Sequence, residues 1–255
     1  MSGSLLDQFG REEDEPGTAG STAVEDRSGE NQRPQSPPSP QRKRSLLTLL
    51  GIGLLVAGLA CLGWVGFQYF GTNVVSERAF ETESEQLRTK WQEQDRSDPK
   101  GRDQASKVPG DAIGLLRIPA FGDDYEIPIL NGTDMSILSR GVGHYQSTAA
   151  PGQIGNFAIA GHRVTHGQPF AKLLTLKKGD EVIVETREAI YTYVMDDSPR
   201  QLTVDDSETW VLDPVPGRPG AKPAEALITL TTCQDLFRSP DRSIGFGRLQ
   251  STQTK

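Results

Sequence analysis

Cysteine and histidine are scarce in this 255-residue chain: two cysteines, Cys61 and Cys233, and three histidines, His144, His162 and His166. Basic residues are outnumbered, with 27 Lys and Arg against 34 Asp and Glu, a net charge of -7. That balance argues against a nucleic-acid partner, because phosphate binding needs clustered cations. Apolar residues make up only 35% of the chain and are unevenly spread. No G-x-S-x-G elbow occurs, which disfavours a serine hydrolase. Internal repeats, heptads and a strong calcium motif are missing too.

The long apolar run that is present therefore stands out. Residues 1–44 hold few large apolar side chains and are rich in Glu, Asp, Ser, Gly, Gln and Pro. Such a segment buries too little to offset its ordering entropy, and reads as a disordered tail. From Leu46 to Phe70 no charged residue occurs and Trp64, Tyr69 and Phe70 crowd the far end. About 20 apolar residues cross a bilayer as a helix, and aromatic rings favour its interface. Residues 45–70 thus read as a transmembrane helix; the polar extension before it and the lack of a small-x-small site speak against a cleaved signal peptide. Arg42, Lys43 and Arg44 precede the run, and basic residues stay on the cytoplasmic side. The expectation is a single-pass plasma-membrane protein, with its tail in the cytoplasm and its working domain on the cell-wall side. Cys61 then lies within the span, and Cys233 is alone in an exported domain. An unpaired cysteine there is intermolecular or a deliberate reactive thiol.

Residues 71–107 form an extracytoplasmic stalk. Its first part contains helix-forming residues with sparse apolar positions (Phe80, Leu87, Trp91), and Asp95 to Gly110 is turn-rich. A plain spacer is the preferred reading and a docking helix the alternative. Residues 108–255 form the compact domain, and it is mainly β. Ala112–Ile118, Tyr125–Leu130, Asn156–Ala160, Glu181–Glu185, Ile190–Met195 and Ala226–Thr232 are short runs rich in β-branched or aromatic residues. Asp134–Arg140 and Gln168–Leu174 read as short helical turns. Many short strands separated by turn signals favour a closed barrel or a sandwich.

Strand alternation sets Ala226, Ile228 and Leu230 on one face, and Thr229, Thr231 and Cys233 on the other. The thiol thus ends a strand on the more polar face. A cysteine nucleophile acts as thiolate and needs an imidazole or cation beside it. His162 follows a strand-like run and Gly161, so a rigid scaffold can aim its ring. His144 and His166 read as loop residues; the His162-x-x-x-His166 spacing lacks further ligands, so no metal and no cofactor is expected. Attack on an amide carbonyl creates an oxyanion, which a guanidinium can stabilise. A short loop after Cys233, then a strand from Arg242, returns that arginine beside the cysteine. Arg248 falls about 20 Å further along. Arg238, inside the loop, is a candidate substrate contact.

Ala160-Gly161-His162-Arg163, Gly167-x-Pro169-Phe170 and Leu230-Thr231-Thr232-Cys233, with Arg242 nine positions on, resemble the sortase signature. Ile118-Pro119, Asn131-Gly132-Thr133, Gly143-His144-Tyr145 and Pro151-Gly152-x-x-Gly155-Asn156 extend the resemblance over residues 112–250. It is most similar to the class E group of actinobacteria. The resemblance implies an eight-stranded β-barrel and a cysteine transpeptidase acting on Leu-Pro/Ala-x-Thr-Gly sorting signals of secreted proteins. Cys233 would attack the Thr carbonyl and form a thioester, His162 would move the protons, and Arg242 would hold the oxyanion or the substrate backbone. The acceptor would be an amine of a cell-wall precursor or a pilin lysine. Thr231, Thr232, His144 and Arg238 make up the expected substrate-binding set. Three positions depart from the class E pattern: Gln234-Asp235 replaces His-Pro, and His166 stands where Tyr is expected. All three bear on sorting-signal preference. A peptidase that only hydrolyses, or a non-catalytic protein that binds sorting peptides, are the alternatives.

Overall fold

A computed structural model describes residues 45–98, 107–233 and 240–255, without the side chains of Tyr69 and Cys233. The expected tail (1–44), part of the turn-rich linker, and Arg238 lie outside the described residues.

The apolar run forms helix α1 (Leu46–Gly66), whose residues are nearly all exposed, with a mean hydropathy of 2.4. It is the one helix among the described residues long and apolar enough to cross a membrane. A π-helical segment, Phe67–Gly71, joins it to α2 (Thr72–Ser97). Helix α2 corrects the spacer expectation. Ser76, Phe80, Leu87 and Trp91 recur at intervals of four, seven and four, a thin stripe on one helical face, and all four are buried. Leu87 and Trp91 pack on Leu115, and Phe80 joins the main core. Ion pairs flank the stripe: Arg88 with Glu126 at 2.6 Å, Asp95 with Arg187 at 2.8 Å, and Glu83 with Arg140.

Nine strands follow among the described residues: β1 (Ala112–Arg117), β2 (Glu126–Asn131), β3 (Val142–His144), β4 (Gly155–Ala160), β5 (Glu181–Glu185), β6 (Ala189–Met195), β7 (Thr203–Asp205), β8 (Ala226–Cys233) and β9 (Asp241–Thr254). Their order is β6-β5-β1-β2-β3-β4-β8-β9, and β6 pairs back onto β9. Eight strands therefore close into a barrel, leaving no open edge in the ring. Strand β7 hangs on the first residues of β9, outside the ring. The interior is filled by Leu116, Ile129, Phe157, Ile159, Val184, Tyr193, Ile228 and Leu230 among others. The predicted turns become α3 (Met135–Leu138) and a 3₁₀ turn at Leu173–Thr175.

Two pairings in this ring are parallel, β2 with β3 and β4 with β8. The second matters most for the site, because parallel neighbours end at the same rim of the barrel.

Candidate active site

Strand β8 lies between β4 and β9, and its end carries Cys233. In the parallel ladder Ala160 pairs with Thr231. That pair closes the ladder, and His162 is the second residue past the end of β4. In the antiparallel ladder Cys233 pairs directly with Arg242. Neighbouring strands lie about 4.8 Å apart, so positions 233 and 242 are cross-strand neighbours at the rim where β4 also ends. Arg248 is set back along β9, opposite Leu227, and pairs with Asp196 at 2.8 Å.

The backbone leading into His162 is tied to the end of β8. Gly161 N–H donates to the Thr231 carbonyl (3.1 Å), and the Thr232 hydroxyl donates to the Gly161 carbonyl (2.8 Å). Thr232 is 2% exposed, so its hydroxyl serves the scaffold. Phe170 N–H closes the far side of the loop on the His162 carbonyl at 2.9 Å. The ring of Phe170 lies so close to Gly161 that a Cβ there would meet it at 2.7 Å.

His162 stacks on His166, with ring centroids 4.7 Å apart and planes 25° from parallel. Its Nε2 is buried and has no hydrogen-bond partner among the described residues. Burial, and then the charge of His166, push its pKa down to about 4. At neutral pH the ring is uncharged and can accept a proton from a thiol. His166 is lowered as well, by burial.

Arg242 is held differently. Its guanidinium reaches Asp206 at 3.2 Å and the Asp241 carbonyl at 3.1 Å, with 29% of its side chain exposed. Asp206 follows β7, the strand that pairs Val204 with Arg242.

The outer face of β8 is polar but covered. Thr229 is fully buried, donating to Asn156 Oδ1 (2.7 Å), while Asn156 Nδ2 donates to the Val211 and Asp213 carbonyls (3.0 and 3.1 Å). Next along this face, Thr231 Oγ1 lies 3.3 Å from the Tyr145 hydroxyl. Asn156, Tyr145 and Asp206 were not singled out from the sequence as site residues. The first two stood within the recognised motifs, but nothing local assigned them a role.

His144 proves to be the buried last residue of β3 rather than a loop residue, and its ring lies on Phe157 with centroids 5.0 Å apart. Its Nε2 contacts the Ala149 carbonyl at 3.0 Å, and a carbonyl only accepts, so Nε2 carries the proton. Burial lowers its pKa, opposed by that hydrogen bond. These contacts brace the 145–149 turn. No group of three His, Cys, Asp or Glu able to hold a metal occurs among the described residues.

A family model described as the Sortase domain matches residues 116–250, just over half of the chain. The chain belongs to the sortase family. It is 33% identical over 217 residues to Sortase SrtE2 of Streptomyces coelicolor, covering 81% of this chain and 83% of that one. Sortase SrtE1 of the same organism is 35% identical over 207 residues, 78% of this chain. The chain spans only 56% of the length of that relative. Among solved structures, sortase E from Streptomyces avermitilis superposes with a TM-score of 0.52 at 38% identity, covering 58% of this chain and 93% of that chain. The closed barrel with a short outer strand is thus a sortase barrel, and the class E resemblance holds.

Proposed function

We propose that this sortase is a membrane-anchored cysteine transpeptidase in which Cys233 is the nucleophile, His162 the proton carrier and Arg242 the oxyanion-side cation. The observation that supports this reading is the pairing of Cys233 with Arg242 at the end of β8, with His162 on the loop that Gly161 and Thr232 tie to the same strand end.

The steps follow from the chemistry of these groups. Neutral His162 takes the Cys233 proton, and the thiolate attacks the Thr carbonyl of a Leu-Pro/Ala-x-Thr-Gly segment. The carbonyl oxygen becomes an oxyanion, which the Arg242 guanidinium stabilises. When the Thr–Gly bond breaks, the imidazolium returns its proton to the leaving Gly amine, and a thioester remains. An incoming amine loses its proton to His162, attacks the thioester, and releases the Cys233 thiol. The acceptor is an amine of a cell-wall precursor or a pilin lysine, and the substrates are secreted proteins with C-terminal sorting signals.

Helix α1 serves as the anchor in this reading. Arg42-Lys43-Arg44 keeps the N-terminus cytoplasmic and puts the barrel on the cell-wall side. Of the expected substrate-binding set Arg238 stays the candidate substrate contact, while Thr231, 3% exposed, has its Oγ1 3.3 Å from the Tyr145 hydroxyl. Thr232 and His144 contribute from behind, by bracing Gly161 and the 145–149 turn.

The test uses the full chain in detergent micelles with Leu-Ala-x-Thr-Gly and Leu-Pro-x-Thr-Gly peptides, with and without oligoglycine or a diamine. Joined product that disappears in Cys233→Ala is the expected result. Cleavage without joining under every acceptor would favour a hydrolase. Binding without cleavage would favour a non-catalytic peptide-binding protein.

A further inference from the structure

The loop that leads away from His162 is strained. His166, Gly167 and Gln168 are consecutive residues with positive φ (54°, 75° and 49°), a region that residues with side chains rarely enter. Such a backbone persists only where its surroundings over-determine it. On its far side the barrel supplies the ties: Phe170 N–H on the His162 carbonyl, and the Tyr125 hydroxyl donating to the Pro169 carbonyl at 2.7 Å.

The middle of the loop is held by α2. Asn73 Oδ1 accepts the Gly167 N–H at 2.9 Å. Phe80, 5% exposed, lies against Gly167 so closely that a Cβ there would meet its ring at 2.5 Å and the Ser76 Cβ at 3.2 Å. Only glycine satisfies both that φ and that contact. His166, the preceding residue, is the one stacked on His162. A continuous chain of contacts therefore runs from α2 through Gly167 and His166 to the His162 ring. Asn73 lies only about 10 Å of helix beyond Gly66, the end of α1, at roughly 1.5 Å per residue.

We infer that Asn73 and Phe80 are positioning residues for His162: the helix emerging from the apolar segment clamps the histidine loop and fixes the stacked imidazole pair. This rests on the reading of His162 as the proton carrier. The apolar segment and the active-site base are then linked through α2, and loosening its N-terminal half disturbs catalysis through the histidine loop.

The experiment compares the full chain in detergent micelles with Phe80→Ala, Phe80→Leu, Asn73→Ala and Asn73→Asp. Two quantities are read: kcat and KM for peptide joining, and the pH titration of the His162 ring by NMR of ¹³C-histidine-labelled protein. Phe80→Ala should lower kcat roughly 10- to 100-fold, as expected for a misplaced catalytic group. Its KM should stay within about twofold, since uniform substrate binding is intact. Phe80→Leu should recover most of the rate. Asn73→Ala should lose about three- to tenfold in kcat, the range of one hydrogen bond. Asn73→Asp keeps an acceptor oxygen and should stay near wild type. In both alanine variants the His162 titration should move up from about 4 as the ring loosens. If Phe80→Ala proves too unstable, the Asn73 pair decides alone. Wild-type kcat and wild-type His162 titration in both alanine variants would overturn the clamp. If the wild type joins no sorting peptide, the functional reading fails, and the His162 titration still decides whether α2 holds the ring.

Discussion

On one side of Cys233 the backbone at His162 is tied down by Gly161 N–H, the Thr232 hydroxyl and Phe170 N–H, and its half-buried ring is stacked on His166. On the other side Arg242 stands on β9 with 29% of its side chain exposed, steadied by a carboxylate that is itself 52% exposed. A base must present one nitrogen in one place and in one protonation state, and burial supplies both. A guanidinium stays charged under all conditions and offers five donors, so it tolerates a looser seat. The histidine side is built from backbone and core, the arginine side from a surface ion pair.

This contrast predicts unequal responses. His162→Ala should give the largest loss, roughly 10²- to 10⁴-fold in kcat by steady-state joining assays, the range of general acid–base catalysis. Arg242→Ala should follow with about 10²- to 10³-fold, and Arg242→Lys should recover little, because a point charge does not reproduce the fork. A smaller effect is expected from Thr232→Val. It removes the donor to the buried Gly161 carbonyl and should cost about 1–3 kcal/mol in denaturant unfolding, with the barrel intact. Asp206→Ala on the exposed side should change stability by less than about 1 kcal/mol. If Asp206→Ala proved as damaging as Thr232→Val, the two sides would not differ in the way described.

Acid sharpens the same comparison. His162 is lowered to about 4 in the folded chain, against an ordinary value of 6.5. Between those values the unfolded chain binds more protons than the folded one, so stability rises with pH there and falls as pH drops from 6.5 towards 4. His144 and His166, both lowered by burial, add to this trend. Melting temperatures measured at pH 7, 5.5 and 4.5 should decline, with a shallower slope in His162→Gln. A flat profile would contradict a His162 held neutral in the folded chain.

The register that sets Arg242 opposite Cys233 was legible because strand ends are written locally. The alternation in β8 was legible too: Ile228 and Leu230 enter the core, while Thr229 and Thr231 take the other face. Strand β3 was missed because three residues with a central glycine give no strand signal, although His144 is fully part of the sheet. Strand β7 is equally short and mostly exposed. The docking of α2 was underestimated because four buried residues in a 26-residue helix leave its composition looking like a solvated spacer. The strain at residues 166–168 has no local signature, since His and Gln there adopt a conformation held by distant contacts, from α2 on one side and Tyr125 on the other.

The most direct measurement is the mass of the intact full chain after brief incubation with a sorting peptide, followed by peptide mapping. The account predicts one acyl adduct, through the peptide's Thr carbonyl, on Cys233, absent in Cys233→Ala and strongly reduced in His162→Ala. An adduct on any other residue, or wild-type adduct formation in His162→Ala, would contradict it.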